Sequence, residues 1–230
     1  MKMKKIDHLI VRGMIMLKSG TRIGGSDDIL QIGGTDHTCI KDPVTGKPYI
    51  PGSSIKGKMR SELEKDLGKI NGPEPCGCAV SICPVCRVFG PHKRTRHELG
   101  PTRIIVRDAL LLEGGEIELK TESSIHRHVG AATNPRTLER VAPGSKFRLE
   151  IGLQAFDIDS NFEYQDADGN RVRGIDAILE VVYHGLDLVE QSGLGSGTSK
   201  GYGQVEIEVD EVVRPRRRKG DGRPRPGEIA

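Results

Sequence analysis

The sequence predicts an α+β protein whose core is a ferredoxin-like, RRM-like βαββαβ unit with large insertions. Three observations support this fold class. The first apolar segment alternates with the period of a strand, two later segments repeat their apolar residues with the period of a helix, and further strand-like segments separate those two. The 230 residues, 35% of them hydrophobic, suffice for one domain with a modest core. We expect that domain to span residues 1–213.

The first predicted element is a half-buried strand that ends at about residue 17. Its apolar residues share one parity, as alternate side chains of a strand do when they face a core: Leu9, Val11, Ile15 and Leu17. Two glycine-rich stretches, 20–28 and 33–37, then predict a loop, and a hairpin turn begins at Asp42-Pro43.

A helix is predicted to open within residues 50–60. Its apolar residues lie four apart and form one buried stripe: Ile55, Met59, Leu63 and Leu67. Ser53 or Ser54 can cap the start of this helix. The basic residues of its first turns lie off the apolar stripe: Lys56, Lys58 and Arg60.

The remaining segments complete the predicted core. Residues 68–100 break every period and contain four of the five cysteines, which predicts an insertion. The later segments are, in order, strands 103–112 and 116–122, a polar and basic excursion 123–145, a strand 146–159, a helix 174–191, a glycine-rich loop 193–203 and a strand 204–213.

The charge of the chain is unevenly distributed. The net charge is +3, but residues 214–230 contain seven Lys and Arg against two acids, which leaves a net charge of −2 on the rest. The body is therefore not a uniformly basic nucleic-acid binder, and any RNA site in it must be a local basic strip. The segment 214–230 is rich in Pro, Gly and Arg, and we expect it to be a disordered basic tail.

Two further properties of the composition limit the function. No apolar run approaches the length of a membrane span and the first residues lack a secretory signal, so we expect a soluble cytoplasmic protein. Aromatic residues make up 3% of the chain and Trp is absent. Because single-stranded bases are usually read on aromatic side chains, an RNA ligand would be held by its backbone.

The cysteines of the insertion form the strongest motif. Their spacing is C-x-C-x₄-C-x₂-C, at Cys76, Cys78, Cys83 and Cys86. Four thiolates can bind a structural Zn²⁺ tetrahedrally and hold a loop that has no core of its own. His92 or His97 could replace one cysteine, and free thiols or a redox pair are the alternatives. We expect the fifth cysteine, Cys39, to be a small buried apolar residue.

Two segments suit the binding of phosphate groups. The helix start at 51–60 combines free amides with Ser53, Ser54 and nearby basic side chains. The loop 193–203 has five glycines with Ser199 and Lys200, which suits a nest of backbone amides. No Walker A or GxGxxG pattern is present, so a nucleotide-binding enzyme is disfavoured. The alternatives are an ordinary capped helix and a flexible connection.

Four segments together carry a family resemblance: Arg22-Ile-Gly-Gly-Ser-Asp, Lys41-Asp-Pro with Ile50-Pro-Gly-Ser-Ser-Ile-Lys-Gly-Lys-Met-Arg, Asn134-Pro-Arg, and Gly193-Leu-Gly-Ser-Gly-Thr-Ser-Lys-Gly-Tyr-Gly. From about Leu9 to Val213 the chain resembles the RAMP superfamily of CRISPR-associated proteins, especially backbone subunits of the type III-A (Csm) effector complex. The resemblance implies a filament of copies on a guide RNA, with neighbouring effector subunits. It also implies an endoribonuclease that cuts the complementary target RNA at regular intervals.

The resemblance also assigns roles to residues. It implies that residues 123–145 form a thumb hairpin, with Arg127 and Arg136 against RNA, and that Arg22 belongs to the RNA-binding set. Cleavage would depend on Asp36 and a divalent cation such as Mg²⁺, with Asp36 as general base or as metal ligand; the adjacent His37 is a weaker candidate. The alternatives are a RAMP subunit that binds guide RNA without cutting and a guide-processing nuclease.

Overall fold

The main sheet has six antiparallel strands. A computed structural model describes residues 3–24, 38–93 and 96–215. The strands in chain order are β1 (Lys5–Leu17), β2 (Tyr49–Ile50), β3 (Ile104–Val106), β4 (Ala109–Glu113), β5 (Ile117–Ile125), β6 (Ala132–Val141), β7 (Lys146–Phe156), β8 (Glu163–Gln165), β9 (Arg171–Arg173) and β10 (Val205–Val213). The main sheet has the order β10-β1-β7-β4-β2, and β3 also pairs with β7. This confirms the prediction of a mixed fold of helices and antiparallel sheet.

Two long helices cover one face of this sheet. The helices are α1 (Gly52–Asp66), α2 (Pro84–Phe89) and α3 (Gly174–Ser192). The alternate apolar residues of β1 that were predicted to face the core are buried. Helix α1 packs on α3, where Gly185 leaves room for Leu63 and Met59. A Cβ on Gly185 would come within 3.1 Å of Leu63, so a larger residue there would push the helices apart. None of the helices in the described ranges is long and apolar enough to cross a membrane.

The start of α1 differs from the prediction. The helix already begins at Gly52, so Ser53 and Ser54 lie inside its first turn and neither caps it. The amide of Gly52 instead donates to Oδ1 of Asp108, 2.8 Å away on the neighbouring β3–β4 connection. A side chain at position 52 would overlap the carbonyl oxygen of Val106, so the close approach of two backbones explains this glycine.

The segment between β4 and β7 forms a separate hairpin. Strands β5 and β6 pair with each other from Ile117↔Val141 to Ile125↔Ala132 and do not join the main sheet. The strand predicted at 116–122 therefore belongs to this hairpin, which begins before the predicted excursion at 123–145. Sequence alternation alone could not show this, because it identifies a strand but not its partner. The base of the hairpin is buried at Leu138, and its tip is exposed.

A buried ionic cluster joins the cysteine-rich insertion to the body. The carboxylate of Asp159 accepts hydrogen bonds from Nε and Nη2 of Arg103 at 2.9 and 2.8 Å and from Nη1 of Arg87 at 2.9 Å. The backbone amide of Phe156 also donates to it, at 2.8 Å. Asp159 and Arg103 are completely buried. Because Arg87 lies on α2 and Asp159 follows β7, the cluster fixes the insertion against the sheet.

Candidate metal centre and nucleic-acid interface

The four cysteines of the insertion converge on one point. Their sulfur atoms all lie within 4.8 Å of one another, and Sγ of Cys86 is 3.7 Å from Cys76 and 3.6 Å from Cys78. Four sulfurs that each bind one ion at about 2.3 Å in a tetrahedron are about 3.8 Å apart. The cluster therefore fits a metal ion held by four thiolates, as the spacing predicted.

Helix α1 supports the first of these ligands. Glu64 accepts the amide of Cys76 at 2.9 Å and the Nε of Arg60 at 2.8 Å. Arg60 also donates to the carbonyl oxygen of Cys76 at 2.8 Å. Cys83 and Cys86 are placed by the first turn of α2, whose N-terminal residue is Pro84. Helix α1 thus holds the backbone of Cys76, and the short helix of the insertion holds Cys83 and Cys86.

The thiols already differ in acidity before any ion binds. Hydrogen bonds from the neighbouring thiols, chiefly Cys86, lower the pKa of Cys83 to about 5. The complementary effect of Cys83, together with burial, raises the pKa of Cys86. Burial is the main cause that raises the pKa of Cys76. One thiolate is therefore favoured in the cluster, and a divalent ion would favour the others by its charge.

Neither histidine proposed as a replacement ligand belongs to the cluster. His92 Nε2 is 2.7 Å from Oε2 of Glu74, and its backbone amide donates to Cys76. His97 accepts the amide of Leu99 at Nδ1. Cys39 is buried, as predicted, and burial raises the pKa of its thiol.

The basic residues of α1 have different partners. Arg60 is engaged with Glu64 and Cys76, and Lys58 pairs with Glu62 at 2.7 Å. Lys56 is half-buried, and among the described residues it forms no ion pair. Burial, and then the charge of Arg60, lower the pKa of its ammonium group. Lys56 is therefore the basic residue of α1 that would be stabilised most by a bound anion.

The glycine-rich loop 193–203 is folded rather than a loose connection. All five of its glycines have positive φ, and Gly195 lies so close to the carbonyl of Arg22 that a Cβ would overlap it. Most of its amides donate within the protein, for example Ser196 to Arg22 and Gly203 to Gly20. The amides of Gly197, Thr198 and Ser199 donate to no backbone acceptor among the described residues, so the predicted nest stays a prediction for these three. Ser199 and Lys200 are exposed, and Lys200 pairs with Glu122 at 3.0 Å.

The α1 start and the loop 193–203 lie at opposite edges of the main sheet. The loop leads into β10, whose first residue Val205 pairs with Leu17 at the end of β1. The α1 start follows β2, whose Ile50 pairs with Ala109, so the helix begins beside the β3–β4 connection. The edge strands β10 and β2 are about four strand spacings of 4.8 Å apart. Arg22 lies beside the loop, with its carbonyl bound by Ser196.

The structure adds a cationic cluster that the sequence did not indicate. Lys120 and Arg140, from the two strands of the hairpin, lie 4.2 and 4.8 Å from the ring centroid of Tyr202. The hydroxyl of Tyr202 donates to Glu122, which also binds Lys200. Tyr202 stands out in the sequence as an aromatic residue between two glycines, but only the tertiary fold shows that the hairpin contacts it. The hairpin base is thus bound to the glycine-rich loop.

The other predicted site residues are spread or lie outside the described ranges. Arg127, at the hairpin tip, and Arg136, opposite Glu122 on β6, are both exposed. Asp36 and His37 lie outside the described residues, and so does most of the predicted tail. The described residues thus bring together the cysteines, and separately Lys200 and Arg22 on either side of the glycine-rich loop.

The chain is similar in sequence to several known proteins. Residues 17–206 match the model of the RAMP superfamily. The chain is 39% identical to the CRISPR system Cms endoribonuclease Csm3 of Methanothermobacter thermautotrophicus, over 87% of this chain and 83% of that one. It is 36% identical to the protein of the same name from Streptococcus thermophilus, over 84% of each chain.

Two solved structures resemble the fold. A Csm3–Csm4 subcomplex of the type III-A CRISPR-Cas interference complex matches with a TM-score of 0.52 and 26% identity, over 92% of this chain and 79% of that chain. A chain of the type III-B Cmr-beta complex bound to cognate target RNA matches with a TM-score of 0.62 and 20% identity. It is matched over 90% of this chain and 61% of that longer chain.

Proposed function

Because the chain belongs to the RAMP superfamily, we propose that it is the backbone subunit of a type III CRISPR interference complex. In this function it binds guide RNA and acts as an endoribonuclease that cleaves the complementary target RNA at regular intervals. The observation that carries the proposal is the 39% identity to a Csm3 endoribonuclease over most of both chains. Its partners are the guide and target RNAs, further copies of itself and other subunits of the complex.

The arrangement of strands supports a ferredoxin-like core as the platform for this function. The two helices α1 and α3 alternate with the strands β1, β4, β7 and β10 in the order of a βαββαβ unit. The hairpin β5–β6 leaves this core between β4 and β7, and we assign the thumb to it. An exposed tip on a base fixed by Tyr202 suits a wedge between nucleotides.

The RNA backbone is proposed to contact the α1 start and the loop 193–203, which lie at opposite edges of the main sheet. Lys56 contributes an ammonium group without an acidic partner among the described residues, while Ser199 and Lys200 are exposed on the loop. The predicted set is completed by Ser53, Ser54, Lys58, Arg60 and Arg22, and by Arg127 and Arg136 of the hairpin. Of these, Arg60 and Lys58 already have acidic partners, so we expect them to contribute less than Lys56.

Target cleavage is assigned to Asp36, in the segment Gly33-Gly-Thr-Asp. A carboxylate beside a distorted linkage can accept the proton of a 2′-hydroxyl or hold a divalent cation such as Mg²⁺ against the phosphate. In-line attack needs a geometry that a regular A-form duplex does not offer, so a kink at the thumb and a carboxylate near it would act together. The four cysteines are assigned a different ion, a structural Zn²⁺ bound by Cys76, Cys78, Cys83 and Cys86.

Reconstitution tests the cleavage proposal. The complex is assembled with guide RNA, labelled complementary target RNA and Mg²⁺, and products are separated on a gel. We expect regularly spaced products that disappear with Asp36→Ala while target binding persists. Asp210→Ala, which removes an exposed acid from β10, is the matched control and should leave the ladder intact. An unchanged ladder with Asp36→Ala would move the chemistry to another residue, and no ladder with the unmodified chain would favour the non-catalytic RAMP subunit.

A further inference from the structure

One long face of α3 borders an open groove of about 1090 Å³ that the RNA-binding proposal does not use. Its apolar and aromatic lining comes from several elements: Phe162, Tyr164, Tyr183, Ile207 and Val209. Its rim on α3 is acidic, with Glu180, Asp187 and Glu190. We call this surface the α3 groove. It combines an amphipathic floor with a negative edge, which suits an extended segment rich in Arg.

Three of the four acids on this edge have no Lys or Arg partner within the part of the chain that the structure describes. Asp176, Glu180, Asp187 and Glu190 follow one another at helical spacing along a single face of α3. Within the described ranges, Glu180, Asp187 and Glu190 form no ion pair with Lys or Arg, whereas Glu163 across the groove is paired with two arginines. Burial and the neighbouring acids raise the pKa of Glu180, which is the expected response to uncompensated like charge.

The chain itself supplies a cation to this face. Arg214, directly after β10, lies 3.4 Å from Oδ1 of Asp176 in the first turn of α3 and 3.6 Å from Oδ2 of Asp7. The sequence continues beyond Pro215 with six more Lys and Arg against two acids in residues 216–230. The first arginine of the basic segment is therefore already paired with the first acid of the stripe.

The segment after Pro215 is long enough to reach along the whole acidic stripe. Fourteen helical residues separate Asp176 from Glu190, a distance of about 21 Å at 1.5 Å per residue. The fifteen residues of 216–230 can span up to about 50 Å when extended. A segment that turns back at Pro215 would bring its four consecutive basic residues, 216–219, beside Glu180 and onward toward Asp187.

We propose that residues 216–230 bind in cis in the α3 groove, with their basic side chains paired to Glu180, Asp187 and Glu190. The methylene stems of Arg and Lys cover the aromatic floor, and their charged ends reach the acidic rim. Bound in this way, the most basic segment of the chain is held on the helical face and is withheld from RNA. Because the pairs are near the surface, salt weakens the interaction.

Limited trypsin digestion of the full chain tests this proposal. Cleavage after Arg216, Arg217, Arg218 and Lys219 is followed by intact mass, since a bound segment is cut only when it dissociates; the bonds after Arg223 and Arg225 precede proline and resist trypsin. Neutralising the rim with Glu180→Gln, Asp187→Asn and Glu190→Gln should raise the cleavage rate roughly tenfold, as expected for three weak ion pairs. The matched control, Glu206→Gln, Glu208→Gln and Asp210→Asn, removes three acids from β10 whose side chains alternate with those of Ile207 and Val209 in the groove.

Two outcomes would overturn the proposal. In the first, the rim variant and the unmodified chain are cleaved at the same rate. In the second, protection of the segment appears only after RNA is added, which would place the segment on the nucleic acid. A salt titration of the unmodified chain makes the test independent of how the rim variant folds. Raising the salt to 1 M should accelerate cleavage, because the Debye length falls to about 3 Å, and an unchanged rate would refute the pairing.

Discussion

Replacing Asp159 by Asn should be one of the most destabilising single changes in this protein, although it removes only a charge. The carboxylate binds the guanidinium groups of Arg87 and Arg103 and the amide of Phe156 at 2.8–2.9 Å. Arg103 and Asp159 are completely buried, and Arg87 is 6% exposed. Asn keeps the shape of the Asp159 side chain but leaves the two arginine cations without a counter-charge. Because both cations are buried, water cannot replace the lost interaction.

The magnitude follows from that burial. Breaking a buried ion pair by removing one partner costs about 3–5 kcal/mol. Asn retains one acceptor oxygen for these donors, and the arginines keep carbonyl partners at Ser81 and Leu99, so we expect the lower half of that range. Domains of this kind are stable by about 5–15 kcal/mol, so the loss would be a large fraction of the total.

Urea denaturation followed by circular dichroism measures this loss. With an m value of about 2 kcal/mol/M, the unfolding midpoint of Asp159→Asn should fall by about 1.5–2 M with little change in slope. Glu206→Gln is the control, because it breaks an exposed pair with Lys18 and should cost about 0.2–1 kcal/mol. A free-energy loss for Asp159→Asn no larger than that of the control would refute the argument that this cluster fixes the insertion to the sheet.

Three further predictions test the metal centre, the glycine-rich loop and the cationic cluster. Cys86→Ser should abolish stoichiometric zinc in elemental analysis of the purified protein, whereas Cys39→Ser should retain it; no zinc in the unmodified chain would contradict the assignment. Gly195→Ala should lower the unfolding free energy by about 1–3 kcal/mol, because φ at Gly195 is +87° and a Cβ there would overlap the carbonyl of Arg22. Gly201→Ala should cost less in the same urea titration, because φ is similar, at +84°, but a Cβ there meets open space. Equal losses for the two variants would refute the steric part of the argument. Arg140 is already paired with Glu118 and lies over Tyr202, so Arg140→Ala should lower guide-RNA affinity through positioning, with the slope of log K against log salt unchanged; a slope smaller by about one would instead place Arg140 on a phosphate.

Sequence periodicity predicted the elements that face a continuous core. Alternation in β1 and helical spacing in α3 each reflect burial of one face, and the observed bounds, Lys5–Leu17 and Gly174–Ser192, agree with the predicted segments. The cysteine cluster was predictable for another reason. A local chelating motif has little choice of partners within a short insertion, so spacing alone brings the sulfurs together.

Features that depend on tertiary partners could not be predicted in this way. The alternation of Ile117–Ile125 identified a strand, but only the fold shows that it pairs with β6 and leaves the main sheet. Lys58 and Arg60 were grouped with Lys56 by charge, yet the structure gives the first two acidic partners. Asp159 stands in an unremarkable Asp-Ile-Asp segment, and its burial becomes visible only when Arg87 and Arg103 arrive from distant positions.

Charged residues without a partner of opposite charge occur on two different surfaces of this protein. Arg87 and Arg103 are bound to the buried Asp159 in the described structure, so these cations act in folding and are withheld from a ligand. Lys56 near the start of α1 and the acids of the α3 rim, Glu180, Asp187 and Glu190, form no ion pair with a residue of opposite charge there. A protein that must bind a polyanion on one side benefits when its own basic segment is held on another side, because a free polycation would compete for the same phosphates. The two surfaces should therefore respond to salt together: as ionic strength rises, RNA binding weakens while the segment 216–230 is released.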